Sequence, residues 1–263
     1  GNFVGSNALA AVGSSGSPIF LLIGFSQGIA VGAGVVVAQY LGAKDREDAQ
    51  RAVHTALALA VLLGLILTIG GILVSRALLT AMDTPAEVLE DAVTYMQIYF
   101  GGVLFSVVYN MAAGILNAAG NSQRSLLYLG IASGTNILLD LVLIAGLRMG
   151  VAGAAIATVL AQLISTVGCF LYAFSKYPEL RLHRPDFAIT KNDVTQHIVQ
   201  GVPLGLQFSV LSIGIITMQS VIVQFDMEAG RIVSSAAQTG FGAANRLHML
   251  TMTPLNAFGT AMT

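Results

Sequence analysis

One acidic side chain stands apart in this sequence. Asp140 lies deep inside an apolar run, in Asn136-Ile-Leu-Leu-Asp140, while the other 12 of the 13 acidic residues fall in polar stretches or at the ends of apolar ones. A carboxylate in such a run is costly in a bilayer, so it must face a bundle interior or a water-filled cavity. If the run is helical, Asn136 lies one turn earlier on the same face. An amide and a carboxylate then aim into one space. One chemistry open to that pair is the uptake and release of a proton near neutral pH, which low dielectric favours and a bound cation or nearby donor opposes. The structural alternative is a hydrogen-bonded Asp that ties two helices together.

Further polar residues recur at helical spacing in neighbouring apolar runs. Tyr95, Gly102, Ser106, Asn110 and Asn117 form one stripe, and Thr158, Gln162 and Ser165 another. Taken singly, each reads as an interhelical hydrogen bond worth about 0.6 kcal/mol. Taken as a set around Asp140, they read as the lining of a hydrated cavity. His54 and His197 flank apolar runs and read as interfacial, and His183 falls in a polar stretch. Arg246 and His248 lie in the last apolar run, where facing a central cavity is one of two open readings. No Cys/His cluster has metal spacing, and no nucleophile–base set is present, so no catalytic residue and no enzyme activity is expected. The nine methionines and twelve phenylalanines can supply an adaptable apolar wall.

The elements that must position these groups follow from composition. Hydrophobic residues make up 55% of the 263, and charged residues only 10%. A water-facing domain needs about 25% charged residues, so the chain reads as an integral membrane protein. Without β-barrel alternation its spans are helices. About 20 apolar residues cross a bilayer, and seven runs reach that length. They are Pro18–Leu41, Val53–Val74, Val93–Ala119, Leu126–Leu147, Val151–Ser175, Ile198–Phe225 and Ile232–Thr263. Residues 1–17, rich in Gly and Ser, read as a loop that enters the first helix at Pro18.

Eight of the 12 Lys and Arg residues fall in one set of connections, at Lys44, Arg46, Arg51, Arg124, Lys176, Arg181, Arg184 and Lys191, against Arg76, Arg148 and Arg231 in the other. The excess places residues 42–51, 120–125 and 176–197 in the cytoplasm of a multi-pass protein in the plasma (inner) membrane. The net charge of −1 leaves no basic footprint for nucleic acid. Residues 176–197, with Pro178 and Pro185, read as a linker between lobes 1–175 and 198–263. Ala10-Ala11 ahead of the first run and Ala236-Ala237 ahead of the last hint at an internal repeat. Glycines four apart (Gly24, Gly28 and Gly32; Gly130 and Gly134; Gly201 and Gly205) predict close helix packing within one bundle, and hence a monomer. The chain begins at Gly1 and stops in an uncharged stretch, so it reads as part of something longer.

Five stretches together resemble one family. They are Val36-Val-Ala-Gln-Tyr-Leu-Gly-Ala-Lys-Asp45, Leu116-Asn-Ala-Ala-Gly-Asn-Ser-Gln-Arg-Ser125, Asn136-Ile-Leu-Leu-Asp140, Gly150-Val-Ala-Gly-Ala-Ala-Ile-Ala-Thr158 and Gly201-Val-Pro-Leu-Gly-Leu-Gln207. The sequence resembles the multidrug and toxic compound extrusion (MATE) transporters along its whole length. The resemblance implies an all-α membrane protein, a polytopic bundle of twelve helices in two lobes, of which this chain holds helices two to eight. It implies export of amphipathic or cationic compounds by proton or sodium antiport with alternating access. Beyond that ion it implies no cofactor, and its partners are small-molecule substrates and the lipid bilayer. In one branch of the family an Asp of helix one joins polar groups of helices four to six, and Tyr95, Asn136, Asp140 and Thr158 fall on those positions. Asn110 or Ala113 takes the place of an Asn in helix four. Another branch uses a Glu in helix seven. That span carries no carboxylate here, and Gln207 is its nearest polar landmark. Asn117, Gln162, Gln207 and Arg246 remain candidates for a substrate cavity. A lipid-linked oligosaccharide flippase of related fold, or a channel or scaffold without ion coupling, are the alternatives.

Overall fold

The structure is a computed structural model and describes residues 6–82, 84, 86–177, 189–225, 227, 228, 231, 232, 240, 244, 247 and 251. Contacts divide the chain into two units, Gly1–Ser209 and Val210–Thr263. The first contains α1 (Ser6–Gly42), α2 (Arg46–Ala81), α3 (Ala86–Gly101), α4 (Val103–Ala118), α5 (Ser122–Asp140), a π-helical segment (Leu141–Gly146), α6 (Gly150–Lys176) and the start of α7 (Lys191–Phe225). The described part of the second holds the end of α7 and a short antiparallel ladder, β1 (Met227–Glu228) with β2 (Arg231–Ile232), which pairs Met227 with Ile232.

Helices dominate because a bilayer offers backbone groups no partner outside their own segment. Five of the described helices are long and apolar enough to cross a membrane, and six spans result if the bent pair α3–α4 counts as one. The expected seventh span, Ile232–Thr263, falls almost wholly outside the described residues. In the first unit α4 packs against α1, α2 and α6, α3 packs against the same three, and α5 lies along α6.

Three boundaries differ from those read in the sequence. The first helix does not start at Pro18; it starts at Ser6 and runs through the proline. The Gly/Ser-rich stretch that would be a loop in water is a packing surface here. Ala8 and Ala11 are buried, and the fully buried Ser15 hydroxyl sits between the Ala11 and Ala92 carbonyls, 2.9 and 3.3 Å away. The third span is longer than Val93–Ala119 and breaks by 46° between α3 and α4. The break falls at Gly102, where a Cβ would lie 2.3 Å from Val159 Cγ2. Glycine there lets an α6 side chain into the kink. The stretch 176–197 is not all linker, because α7 already begins at Lys191. Its start is a capping box: Asp193 N–H donates to Thr190 Oγ1 at 3.2 Å, and Thr190 N–H donates to Asp193 Oδ2 at 3.0 Å.

Two of the three glycine series meet each other. A Cβ at Gly28 would fall 2.4 Å from the Gly205 nitrogen, and one at Gly32 would fall 2.4 Å from the Gly201 Cα. The pairing runs antiparallel, and it continues to Tyr40, whose hydroxyl donates to Gln196 Oε1 at 2.8 Å. Gly114 approaches the Ala30 carbonyl in the same way, bringing α4 onto α1. Gly130 and Gly134 do not follow the expectation: both are exposed, with nothing described within 4 Å.

A side chain forced into the α1–α7 seam has only backbone to displace. Gly32→Val should therefore destabilise the folded protein by about 1–3 kcal/mol, read as a lower midpoint of thermal unfolding in detergent. Gly70→Ala, with open space around it, should be neutral or gain up to about 1 kcal/mol. Equal behaviour of the two variants would show that the seam is not tight.

Candidate functional site

The candidate site grows from the α5–α6 pair. Hydrogen bonds on these helices fix their register. Ser165 Oγ donates to the Tyr128 carbonyl at 2.9 Å, and Thr166 Oγ1 lies 2.9 Å from the Phe105 carbonyl, tying α6 to α5 and α4. Further along, Asn136 Nδ2 donates to Thr158 Oγ1 at 3.3 Å, and the Thr158 hydroxyl donates to the Ala154 carbonyl at 3.0 Å. This bond places Asn136 and Thr158 together and leaves the next turn of α5 to Asp140.

Asp140 occupies an unusual backbone position. It is the last residue of α5, and the helix widens into the π segment immediately after it. The widening ends with Leu147 N–H donating to the Val142 carbonyl at 2.9 Å. Such π turns are rare and occur often at functional sites. Asp140 Oδ1 is buried and has no hydrogen-bond partner among the described residues. Buried polar atoms are almost always paired, so an orphan of this kind needs an explanation. No ion pair to Asp140 occurs among the described residues. A recess of about 240 Å³ borders it, lined by Ile137, Asp140, Leu141, Ile144 and Ala145. Tyr95 of α3, stacked on Tyr99 with ring centroids 6.2 Å apart, lies within electrostatic range of the carboxylate. A carboxylate, an amide and a hydroxyl form a set of hard oxygen ligands. They suit a proton or a small hard cation and offer nothing to a soft metal.

The remaining candidates lie at varied distances from this group. Gln162 is one turn past Thr158 on α6, and its Oε1, like Thr68 Oγ1, is another buried oxygen without a partner among the described residues. Asn110 is half-buried on α4, and no hydrogen bond among the described residues joins it to Asp140. Asn117 is exposed at the end of α4, where its Oδ1 accepts from Ser125 Oγ at 2.7 Å, so it braces the α4–α5 turn. Gln207 is exposed on α7. Arg246 and His248 lie outside the described residues. The two histidines read as interfacial are buried: His54 Nδ1–H donates to the Gln50 carbonyl at 2.6 Å, and His197 Nδ1–H to the Asp193 carbonyl at 2.8 Å. No metal-binding cluster of His, Cys, Asp and Glu occurs among the described residues.

The π turn escaped the sequence reading, since no proline or glycine marks its start. So did a second hollow of about 500 Å³, lined by Leu41, Lys44, Asp45, Arg46, Ala118, Ala119 and Tyr177. It lies at the end of the bundle rich in Lys and Arg, away from Asp140.

The family model MatE matches residues 1–142. The chain belongs to the MATE family. It is 30% identical over 264 residues to the probable multidrug resistance protein YpnP of Bacillus subtilis (strain 168), covering all of this chain and 57% of that relative. The outward-facing conformation of a multidrug resistance MATE family transporter of the MOP superfamily superposes with a TM-score of 0.87 at 28% identity, over 98% of this chain and 56% of that one. An inward-facing conformation of such a transporter gives a TM-score of 0.82 at 28% identity, over 94% and 55%. The chain therefore spans a little over half the length of the relatives it matches. The multi-pass helical membrane fold expected from the sequence is borne out.

The orphaned oxygen has an energetic consequence. Asp140→Leu removes a desolvated polar group, which should stabilise the protein by about 1–3 kcal/mol in sodium-free detergent at neutral pH. Thr158→Val, losing one interhelical bond, should cost only about 0.6 kcal/mol. Unfolding midpoints measure both, and a less stable Asp140→Leu variant would mean that the carboxylate already has a partner.

Proposed function

We propose that the complete protein is a secondary active transporter that exports amphipathic or cationic compounds by proton or sodium antiport, with alternating access. Asp140 carries the coupling, assisted by Asn136, Thr158 and Tyr95, with Asn110 as the α4 candidate. The observation that supports this most directly is the buried, unpartnered Asp140 Oδ1 beside the Asn136–Thr158 pair. A relative named as a multidrug resistance protein and solved transporters in two access states support the same reading.

In this mechanism substrate enters between the lobes while Asp140 is charged and accessible. Arrival of a proton or sodium ion at the carboxylate cancels an uncompensated charge. The α5–α6 pair can then repack, and the lobes rock to release substrate outside. An ion drives this only through unequal affinity for the two states, because equal binding shifts nothing. Gln162 is the candidate to extend the polar lining, and Gln207 and Arg246 are candidates for the substrate path in the rest of the protein. The complete protein works as a monomer in the plasma membrane. The connections 42–51, 120–125 and 176–197 face the cytoplasm, as the Lys/Arg excess favours. Lobes 1–175 and 198–263 flank the connection 176–197.

The test is Asp140→Asn in the complete protein, reconstituted in vesicles with an imposed ion gradient. The amide keeps size and hydrogen-bonding capacity but cannot cycle charge. Ion-driven drug uptake should fall at least about tenfold, the effect of about 1.4 kcal/mol, while unenergised substrate binding persists. Undiminished gradient-driven transport would remove Asp140 from the mechanism.

A further inference from the structure

The start of α7 is fastened to α2 by charged and polar groups that the transport reading does not use. Asp193, in the first turn of α7, is 8% exposed, and His197, one turn on, is 2% exposed. Asp193 keeps its negative charge while it accepts from Thr190 in the capping box, and that charge attracts Arg51 of α2. Arg51 also pairs with Asp48 on its own helix and feels Glu47 there. One guanidinium is thus shared between carboxylates of α2 and a carboxylate of α7. The His197 ring lies against the Ala52 carbonyl of α2. Ala52 is itself buried, and its small side chain lets α7 come close.

This cluster is incompletely satisfied. Arg51 Nε and His197 Nε2 are buried, and neither has a hydrogen-bond partner among the described residues. A buried polar atom left unpaired costs its desolvation, a cost that water removes when the helices part. Attraction between charges therefore holds α7 on α2, while the two unpaired nitrogens favour its release. Further along, the seam has no such groups: backbone meets backbone, Gly32 with Gly201 and Gly28 with Gly205. The helix is also divided. Contacts join α7 to the first unit as far as Ser209, whereas the two-lobe reading gives 198–263 to the second lobe. If the lobes rock, α7 must either leave α1 and α2 or bend along its length.

We propose that Arg51 and Asp193, with His197 beside them, form a polar latch between α2 and α7 that is shut in this structure and opens once in each transport cycle. The latch rests on the contacts just described. Its opening within a cycle rests on the alternating-access reading above.

Hydrogen exchange of the complete protein in detergent, read by mass spectrometry over residues 191–200, measures the latch without transport. Arg51→Gln and Asp193→Asn should each speed exchange there about tenfold or more. The double variant should be no faster than the faster single one, because both remove the same attraction. Arg51→Lys keeps the charge and should keep the protection. Asp48→Asn, which leaves Arg51 to Asp193, and Arg76→Gln, at the far end of α2, should leave exchange unchanged. Should Arg51→Gln misfold, Asp193→Asn, which retains a capping oxygen, gives the same reading. Unaltered exchange in the folded variants would overturn the latch, as would strictly additive effects. Opening is tested by a bridge placed outside the latch. Tyr40→Cys with Gln196→Cys, in a Cys169→Ala background, turns the bonded α1–α7 pair into two thiols that a short bismaleimide joins. Ion-driven drug uptake in vesicles should fall about tenfold or more on bridging, while each single-cysteine variant treated alike keeps its rate. Undiminished uptake by the bridged protein would show that α7 stays in place and would overturn the opening. No ion-driven uptake by the unbridged protein would overturn the transport reading and the opening with it, while the exchange result still decides the latch.

Discussion

Close approach of helix backbones is the interaction on which the rest of this bundle depends. Lipid tails are as apolar as leucine, so burying leucine against leucine does not drive helices together inside a membrane. What does drive them is contact that lipid cannot match. The α1 helix makes that contact on several sides. Gly28 and Gly32 meet Gly205 and Gly201 of α7, Ala30 meets Gly114 of α4, and Ser15 reaches the Ala92 carbonyl of α3. The glycine approaches are closer than a Cβ would permit, and each of these contacts fixes one neighbour. Because α4 is held on α1, it can in turn hold α2 and α6. Large apolar side chains such as Leu73 and Leu126 are left facing outward, at 76% and 68% exposure. In water that pattern would be an error; in lipid it is the solvent-facing surface.

Hydrogen bonds then position what the small residues have brought close. They are weak individually, about 0.6 kcal/mol each, yet they act in sequence along α4, α5 and α6. Tyr109 to the Ser125 carbonyl at 2.9 Å, Ser165 to the Tyr128 carbonyl and Asn136 to Thr158 form successive rungs. Polar side chains near this ladder mostly find a partner within it. The Asp140 oxygen does not, and it lies where the α-helical spacing gives way to the π segment. A helix that widened one turn earlier would carry Asp140 off the Asn136 face. The site thus combines a regular ladder, which sets the position of the amide and hydroxyl, with one irregularity beside the carboxylate.

The sequence carried much of this and hid the rest for physical reasons. Spans, the exceptional Asp140 and the grouping of Asn136 with Thr158 were legible, because membrane burial imposes length and makes charge conspicuous. Glycine spacing was legible as packing, but it did not reveal the partner: Gly201 and Gly205 found Gly32 and Gly28, while Gly130 and Gly134 found nothing described. The start of α1 was misread because Gly and Ser punctuate chains in water, whereas inside a bundle they are surface for a neighbour. Gly102 looked like one more member of a polar stripe. It breaks the helix, while Asn117, at the end of α4, meets Ser125 at the opposite end of α5 from Asp140. The Thr190-Lys-Asn-Asp193 capping box was in plain view; the prolines before it drew attention to a linker instead.

The weakness of the individual rungs bears on function. The α5–α6 pair joins two regions of unlike chemistry: Asp140 at one end, and the Lys/Arg-rich end, with Tyr177 after α6, at the other. From Ser122 to Asp140 an α-helix rises roughly 27 Å, so no direct electrostatic contact links the two. Coupling over that length needs an element with two discrete arrangements that both ends bias. Bonds of a few tenths of a kcal/mol fit such an element. Together they hold one register, and singly they are exchanged at little cost when the Asp140 charge is cancelled. A pair locked by buried ion pairs would be harder to shift, because breaking one strands a charge. The scarcity of charge inside this bundle thus has a mechanical aspect: with Asp140 as the exception, a change of one charge is large against everything that holds α5 in place.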